Sequence, residues 1–173
     1  MTRRATLAGL PLLLFPLPAP AAQQGELAPW DGGPQPIIRL RDLQGMLHDL
    51  AAHAGHVVLV HFFATWCGPC RPELLSLGRL LENGRLSIRV VGLSIDETPG
   101  PVQRLLAQAP VRFPIVLDTD RAVAKAWRVR MLPTTFVLDQ ALEPRLRVEG
   151  ALEWDRPEIV AVLERMAGTT TSR

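Results

Sequence analysis

The sequence predicts an α/β protein built on one central sheet, parallel in its first half and antiparallel in its second. Three observations carry that prediction. Apolar, β-branched runs alternate with segments of helical periodicity between about residue 57 and residue 127. Two strand-like runs, "PTTFVLD" and "PRLRVEGAL", then follow one another across a short loop, as an antiparallel hairpin requires. Finally, "HVVLVHFF" passes directly into "ATWCGPC", which holds the only two cysteines of the chain.

The elements follow in order. "MTRRATLAGLPLLLFPLPAPAA" has an arginine pair, an apolar run and small residues, the three-part pattern of a secretory signal, with cleavage expected after Ala21 or Ala22. The run is short and broken by Pro11, Pro16 and Pro18, so a membrane span is the lesser alternative, as an uncleaved anchor. Residues 23–36, rich in Gly, Pro and Gln, read as an exposed linker, and residues 37–168 as one domain with a loose tail at 169–173. "PIIRLRDLQG" and "MLHDL" read as short strands around a turn at Gln44–Gly45. "HVVLVHFF" lacks polar alternation, the mark of a strand buried on both faces. From Pro69, Leu74, Leu77 and Leu81 recur at helical spacing until Asn83–Gly84. "SIRVVGLSI" is a second buried strand, "PGPVQRLLAQA" a helix with Pro101 in its first turn, and "FPIVLD" a third strand. "TDRAVAKAWRV" reads as a short helix opened by an acid or threonine cap. "DRPEIVAVLERMAG" reads as a helix with Asp155 and Glu158 as a capping box and Ile159, Val162, Leu163 and Met166 on one face.

Composition narrows the function. Without residues 1–22, Lys+Arg falls from 19 to 17 against 17 Asp+Glu, so no basic surplus points to nucleic acid. Two cysteines separated by two residues make a poor staple, because a tiny loop gains little closure entropy. A structural zinc site needs two further ligands; His48, His53 and His56 in "HDLAAHAGH" are the nearest histidine cluster and read as a solvated loop, so no metal is assigned. A redox pair fits best. Residues i and i+3 of a helical turn lie roughly 5–6 Å apart, within disulfide reach. The helix N-terminus favours a thiolate on Cys67, which makes Cys67 the attacking thiol and the deeper Cys70 the resolving one. Gly68 and Pro69 suit the tight entry to that helix.

"VLVHFFATWCGPCRPEL" and "FPIVLDTDRAVAKAWRVRMLPTTFVLD" together resemble the thioredoxin superfamily, and within it the TlpA/ResA/DsbE-type exported thiol–disulfide oxidoreductases. The resemblance spans about residues 37–168. It implies a thioredoxin-like mixed sheet with a TlpA-type strand–helix insertion between "SIRVVGLSI" and "FPIVLD", and a cis-proline at Pro133 facing the cysteines. It implies a periplasmic or other extracytoplasmic protein, monomeric or weakly dimeric and without cofactor. Its partners would be protein disulfides, such as haem-attachment cysteines of apocytochrome c or copper-site cysteines, and a membrane-embedded thiol transporter that returns electrons. The Gly-Pro dipeptide is that of thioredoxin, a reductant at about −270 mV, which favours reductase over general oxidant. A copper carrier using the two thiols and a histidine is the rival from another class.

Two positions keep two readings each. Glu73 matches the acid of the CxxCxxE pattern, implying thiol tuning or proton transfer; it also suits a helix's first turn for dipole reasons alone. His61 stands where thioredoxin has a buried aspartate; it either accepts the Cys70 proton or is a neutral core histidine held by a hydrogen bond. Trp66 either lines a substrate groove or packs over the disulfide, while Phe62, Phe63 and Phe136 are core.

Overall fold

A computed structural model describes residues 24–33, 36, 38–82, 87–95 and 97–168. The segment expected as a secretory signal, the tail expected to be loose and the helix stop expected at Asn83–Gly84 lie outside the described residues.

Among the described residues, eight strands and four α-helices follow one another. They are β1 (Ala28–Pro29), β2 (Arg39–Arg41), β3 (Leu47–Asp49), β4 (Val57–Phe63), α1 (Cys70–Glu82), β5 (Ile88–Ile95), α2 (Pro99–Gln108), β6 (Ile115–Asp118), α3 (Ala122–Ala126), β7 (Thr134–Leu138), β8 (Pro144–Glu149) and α4 (Pro157–Gly168). Six of the strands form one sheet in the order β1-β8-β7-β4-β5-β6. Strand β4 lies inside it, parallel to β5 and antiparallel to β7; β5–β6 is parallel and β7–β8 antiparallel. Every residue of β4 is buried, as its unbroken apolar run requires when both faces are covered.

The two faces of the sheet carry two cores. Val57, Leu59 and Phe63 join Leu74, Leu77 and Leu80 of α1, Val102 of α2 and Leu163 of α4 on one side. Val58, Val60 and Phe62 join Leu50, Ala124, Trp127 and Phe136 on the other. The period-2 alternation of a strand thus sends odd-numbered residues of β4, His61 among them, toward α1. On the second face Trp127 packs edge-on to Phe136 with ring centroids 4.9 Å apart.

Several local expectations change in detail. Between β5 and β6 the described residues hold α2 and no additional strand, so the insertion is a helix followed by the edge strand β6 itself. The stretch expected as a linker is largely exposed, yet Ala28–Pro29 pair with Leu146–Arg147 and Trp30 packs edge-on against Phe136. Gly25 lies so close to β8 that an added Cβ would sit 2.6 Å from the Gly150 carbonyl oxygen, and its N–H donates to Ala151 at 2.8 Å. The cap of α3 is Arg121, in the left-handed region at φ 61°. Acids still serve that helix from outside the cap position: Asp118 accepts from the N–H groups of Val123 and Ala124, and Asp120 from that of Ala122. The capping box of α4 is not formed, because Asp155 is drawn to Arg79 of α1 at 2.6 Å and Glu158 pairs with Arg156. A tertiary ion pair has taken the side chain that local spacing assigned to the cap.

Candidate functional site

The site stands at the C-terminal end of β4, where open α/β sheets place their ligands. Cys67 and Cys70 form a disulfide with their Cα atoms 5.4 Å apart. The sequence places both on one helical turn. In the structure α1 begins only at Cys70, and Cys67 lies in the preceding turn, which closes through the Cys70 N–H donating to the Cys67 carbonyl at 3.1 Å. Pro69 lacks the N–H that this entry leaves without a helical partner. The inequality of the two sulfurs survives the shift: Cys70 is fully buried, Cys67 is 7% exposed, and Gly68 and Pro69 beside it are exposed.

Cys67 opens onto a groove of about 410 Å³ whose lining includes Trp66, Pro69, Arg121, Arg130 and Met131. Trp66 is 70% exposed, so it walls the groove and does not cover the disulfide as a core side chain would. The Leu132–Pro133 peptide is cis and leads straight into β7, with Leu132 on the groove. Pro133 itself is buried, and its carbonyl accepts the Gly150 N–H at 2.9 Å.

Behind Cys70 lies a buried polar cluster. Glu73, one turn further along α1, is 2% exposed, and its Oε1 accepts from Trp154 Nε1 at 2.7 Å and from Thr135 Oγ1 at 3.2 Å. Burial pushes the Glu73 carboxyl up to about 7, against these hydrogen bonds, which favour the charged form. Glu73 is thus the first-turn acid of α1 and is buried there. His61 is fully buried and pairs with Thr135 across the β4–β7 ladder, and its Nδ1 lies 2.9 Å from Thr135 Oγ1. Desolvation holds His61 down to about 3. With the Thr135 hydroxyl donating to Glu73, the neutral His61 tautomer that carries its proton on Nδ1 completes the chain as donor to Thr135. Between about pH 3 and pH 7 the 3.7 Å approach of His61 Nδ1 to Glu73 Oε1 is a contact of two neutral groups. His61 Nε2 and Glu73 Oε2 are buried without a hydrogen-bond partner among the described residues.

The structure brings His61, Glu73 and Cys70 to one side of β4 and adds residues that the sequence did not single out. Thr135 lies inside the "LPTTF" segment, but its link to Glu73 spans 62 positions and depends on the β4–β7 register. Trp154 reads as one more apolar position after the hairpin. Glu97 is buried and gathers the Thr65 N–H at 2.9 Å, the Thr65 hydroxyl and the Ser94 hydroxyl at 2.5 Å, pinning the strand-to-helix loop just before Trp66. None of these has a local signal. His48, from the histidine-rich loop, pairs with Asp42 at 2.7 Å and takes no part in the site.

Comparison with known proteins agrees with this chemistry. Residues 32–143 match the AhpC/TSA family. The chain is 30% identical over 122 residues to the thiol-disulfide oxidoreductase ResA of Geobacillus kaustophilus, covering 70% of each. It is 32% identical over 110 residues to ResA of Bacillus subtilis, covering 63% of this chain and 62% of that one. A crystal structure of a thiol:disulfide interchange protein DsbE from Chlorobium tepidum superposes with a TM-score of 0.64 at 26% identity, over 84% of this chain and 96% of that one. With a CxxC disulfide at the head of α1 in a mixed six-stranded sheet, the chain belongs to the AhpC/TSA family as a thiol–disulfide oxidoreductase of the TlpA/ResA/DsbE-like class.

Proposed function

We propose that this enzyme works outside the cytoplasm as a reductase of particular protein disulfides, with Cys67 attacking and Cys70 resolving. The observation that carries the reading is the inequality of the two sulfurs: Cys67 opens on the groove, and Cys70 is enclosed over Glu73. In the dithiol form the Cys67 thiolate attacks one sulfur of a substrate disulfide, and the other leaves as a thiolate that takes up a proton. Cys70 then loses its proton, attacks Cys67 and releases the second substrate thiol. Two electrons have passed to the substrate, and the enzyme is left as the Cys67–Cys70 disulfide. A dithiol donor, of the membrane-embedded transporter type, returns them.

Glu73 suits the proton step, being one helical turn from Cys70 and carrying a carboxyl that titrates near 7. His61 supports it through Thr135 as a positioning residue. Trp66 and Pro69 line the groove that admits the substrate, and Gly68 and cis-Pro133 adjoin lining residues in the chain and set their course. Haem-attachment cysteines of an apocytochrome c and copper-site cysteines are the substrates this reading favours, since a reductase in an oxidising compartment has to be selective. The N-terminal apolar segment directs export, and no helix among the described residues is long and apolar enough to cross a membrane.

Trapping tests the proposal. A Cys70→Ser variant, expressed with its own N-terminal segment, should accumulate partners as mixed disulfides on Cys67, while Cys67→Ser accumulates none. Indistinguishable behaviour of the two variants would remove the assignment. Equilibration with glutathione decides the direction, since a strongly oxidising couple is incompatible with a reductase.

A further inference from the structure

We infer that the groove beside Cys67 selects substrate cysteines that lie within a few residues of an acidic side chain in an extended peptide. The inference rests on the reductase reading above and names the substrate class that its site would take. The groove lining combines apolar surface, from Trp66, Val129, Met131 and Leu132, with two arginines, Arg121 and Arg130, and among the described residues it includes no carboxylate. Both arginines are exposed, and among the described residues no acid lies within ion-pair distance of either. Among the described residues, the carboxylates of the adjoining segments are engaged elsewhere: Asp118 and Asp120 hold N–H groups at the start of α3, and Glu97 holds Thr65 and Ser94. Without residues 1–22 the chain is formally neutral, so two cations with no ion-pair partner among the described residues, on the wall that Cys67 shares, are a local feature and not a share of a general surplus.

Backbone geometry supplies a second observation. Arg121 caps α3 at φ 61°, a conformation that glycine adopts freely and that strains a residue with a Cβ. The position thus carries a guanidinium where local stability would favour glycine or asparagine. A guanidinium is weakly hydrated, permanently charged and suited to a carboxylate held in two-point contact. Trp66 and Met131 give the same peptide an apolar surface on which to lie. Charge at such a site discriminates through attraction of one sign and rejection of the other, and acts strongly on the association rate.

The test uses the Cys70→Ser protein, so that a single exchange step is read. Three peptides of one sequence carry their cysteine as a mixed disulfide with thionitrobenzoate and differ only in having aspartate, asparagine or lysine at the two positions flanking it. The Cys67 thiolate attacks the peptide sulfur, the thionitrobenzoate thiolate leaves, and its absorbance gives the second-order rate. At low ionic strength the aspartate peptide should react roughly five- to tenfold faster than the lysine peptide, as two partly exposed ion pairs allow. Raising the salt should bring the ratio toward one. In the R121E/R130E variant the order should invert; each ratio is taken within one protein, so a change in Cys67 reactivity cancels. R130E alone, at a residue with ordinary backbone, gives the same test at about half the effect if the double variant does not fold. Equal rates for the three peptides, or an unchanged ratio in the charge-reversed variants, would overturn the inference while leaving the reductase standing. Failure of all three peptides to react would instead overturn the reductase reading beneath it.

Discussion

Glu73 and His61 illustrate how two buried ionisable residues can be carried without burying a charge. Outside the fold a glutamate near 4.5 and a histidine near 6.5 are both ionised between those values, as carboxylate and imidazolium. Inside, burial raises Glu73 to about 7 and lowers His61 to about 3, so over the same interval both are neutral. Folding then moves one proton from histidine to glutamate and leaves the count of bound protons unchanged, so the pair adds no pH slope to stability there. The single variants should unmask the two halves. In His61→Asn only Glu73 remains; its raised value gives stability that is present below about 4.5 and lost as pH rises to about 7. In Glu73→Gln only His61 remains; its lowered value gives stability that is present above about 6.5 and lost as pH falls toward 3. Urea denaturation from pH 4.5 to 6.5 should therefore show opposite slopes for the two variants relative to the parent. Parallel curves would mean that the two side chains do not share the neutral arrangement.

At the scale of elements, the junction between β4 and α1 is held from a neighbouring strand and not by its own sequence. Glu97 follows β5 and reaches back over 32 positions to Thr65, accepting from its N–H and its hydroxyl while also holding Ser94 of β5. Replacing Glu97 by Gln keeps the shape but exchanges a carboxylate acceptor for a neutral amide, which weakens the bonds from Thr65 and Ser94 and forces the Thr65 hydroxyl to turn. About 1–3 kcal/mol of stability should be lost. Amide hydrogen exchange should quicken at Thr65 and in the loop through Trp66, with the α4 amides changing only through the global loss. The same element scale shows where local patterns mislead. The Asp155–Glu158 spacing is that of a capping box, but Arg79 lies across the α1–α4 face and claims Asp155 in a two-point contact. Local geometry offers an acid one short hydrogen bond; tertiary packing offers it a guanidinium.

For the molecule as a whole, the disulfide is a chemical device more than a brace. It closes a loop of very few residues, so its contribution through chain entropy is at most about 2 kcal/mol. A reductase needs its disulfide form to be the more stable one, since a dithiol that is favoured on folding marks an oxidant. Urea denaturation should accordingly show the reduced protein less stable than the oxidised by up to about 2 kcal/mol. A more stable reduced form would contradict the proposed direction of electron flow. The sequence by itself determined the alternation of strands and helices, the place of Cys67 and Cys70 at a strand's end, and the late hairpin. Those features rest on periodicity and on neighbours a few residues apart, which a linear reading can see. Only the tertiary structure decided that helix α1 starts at Cys70, that His61 meets Thr135 and through it Glu73, and that Arg121 and Arg130 share a groove with Cys67. Each of these depends on strand register or on which face of the sheet a helix covers. Such contacts join residues tens of positions apart, and the free energy that selects them comes from packing and desolvation that no single segment contains.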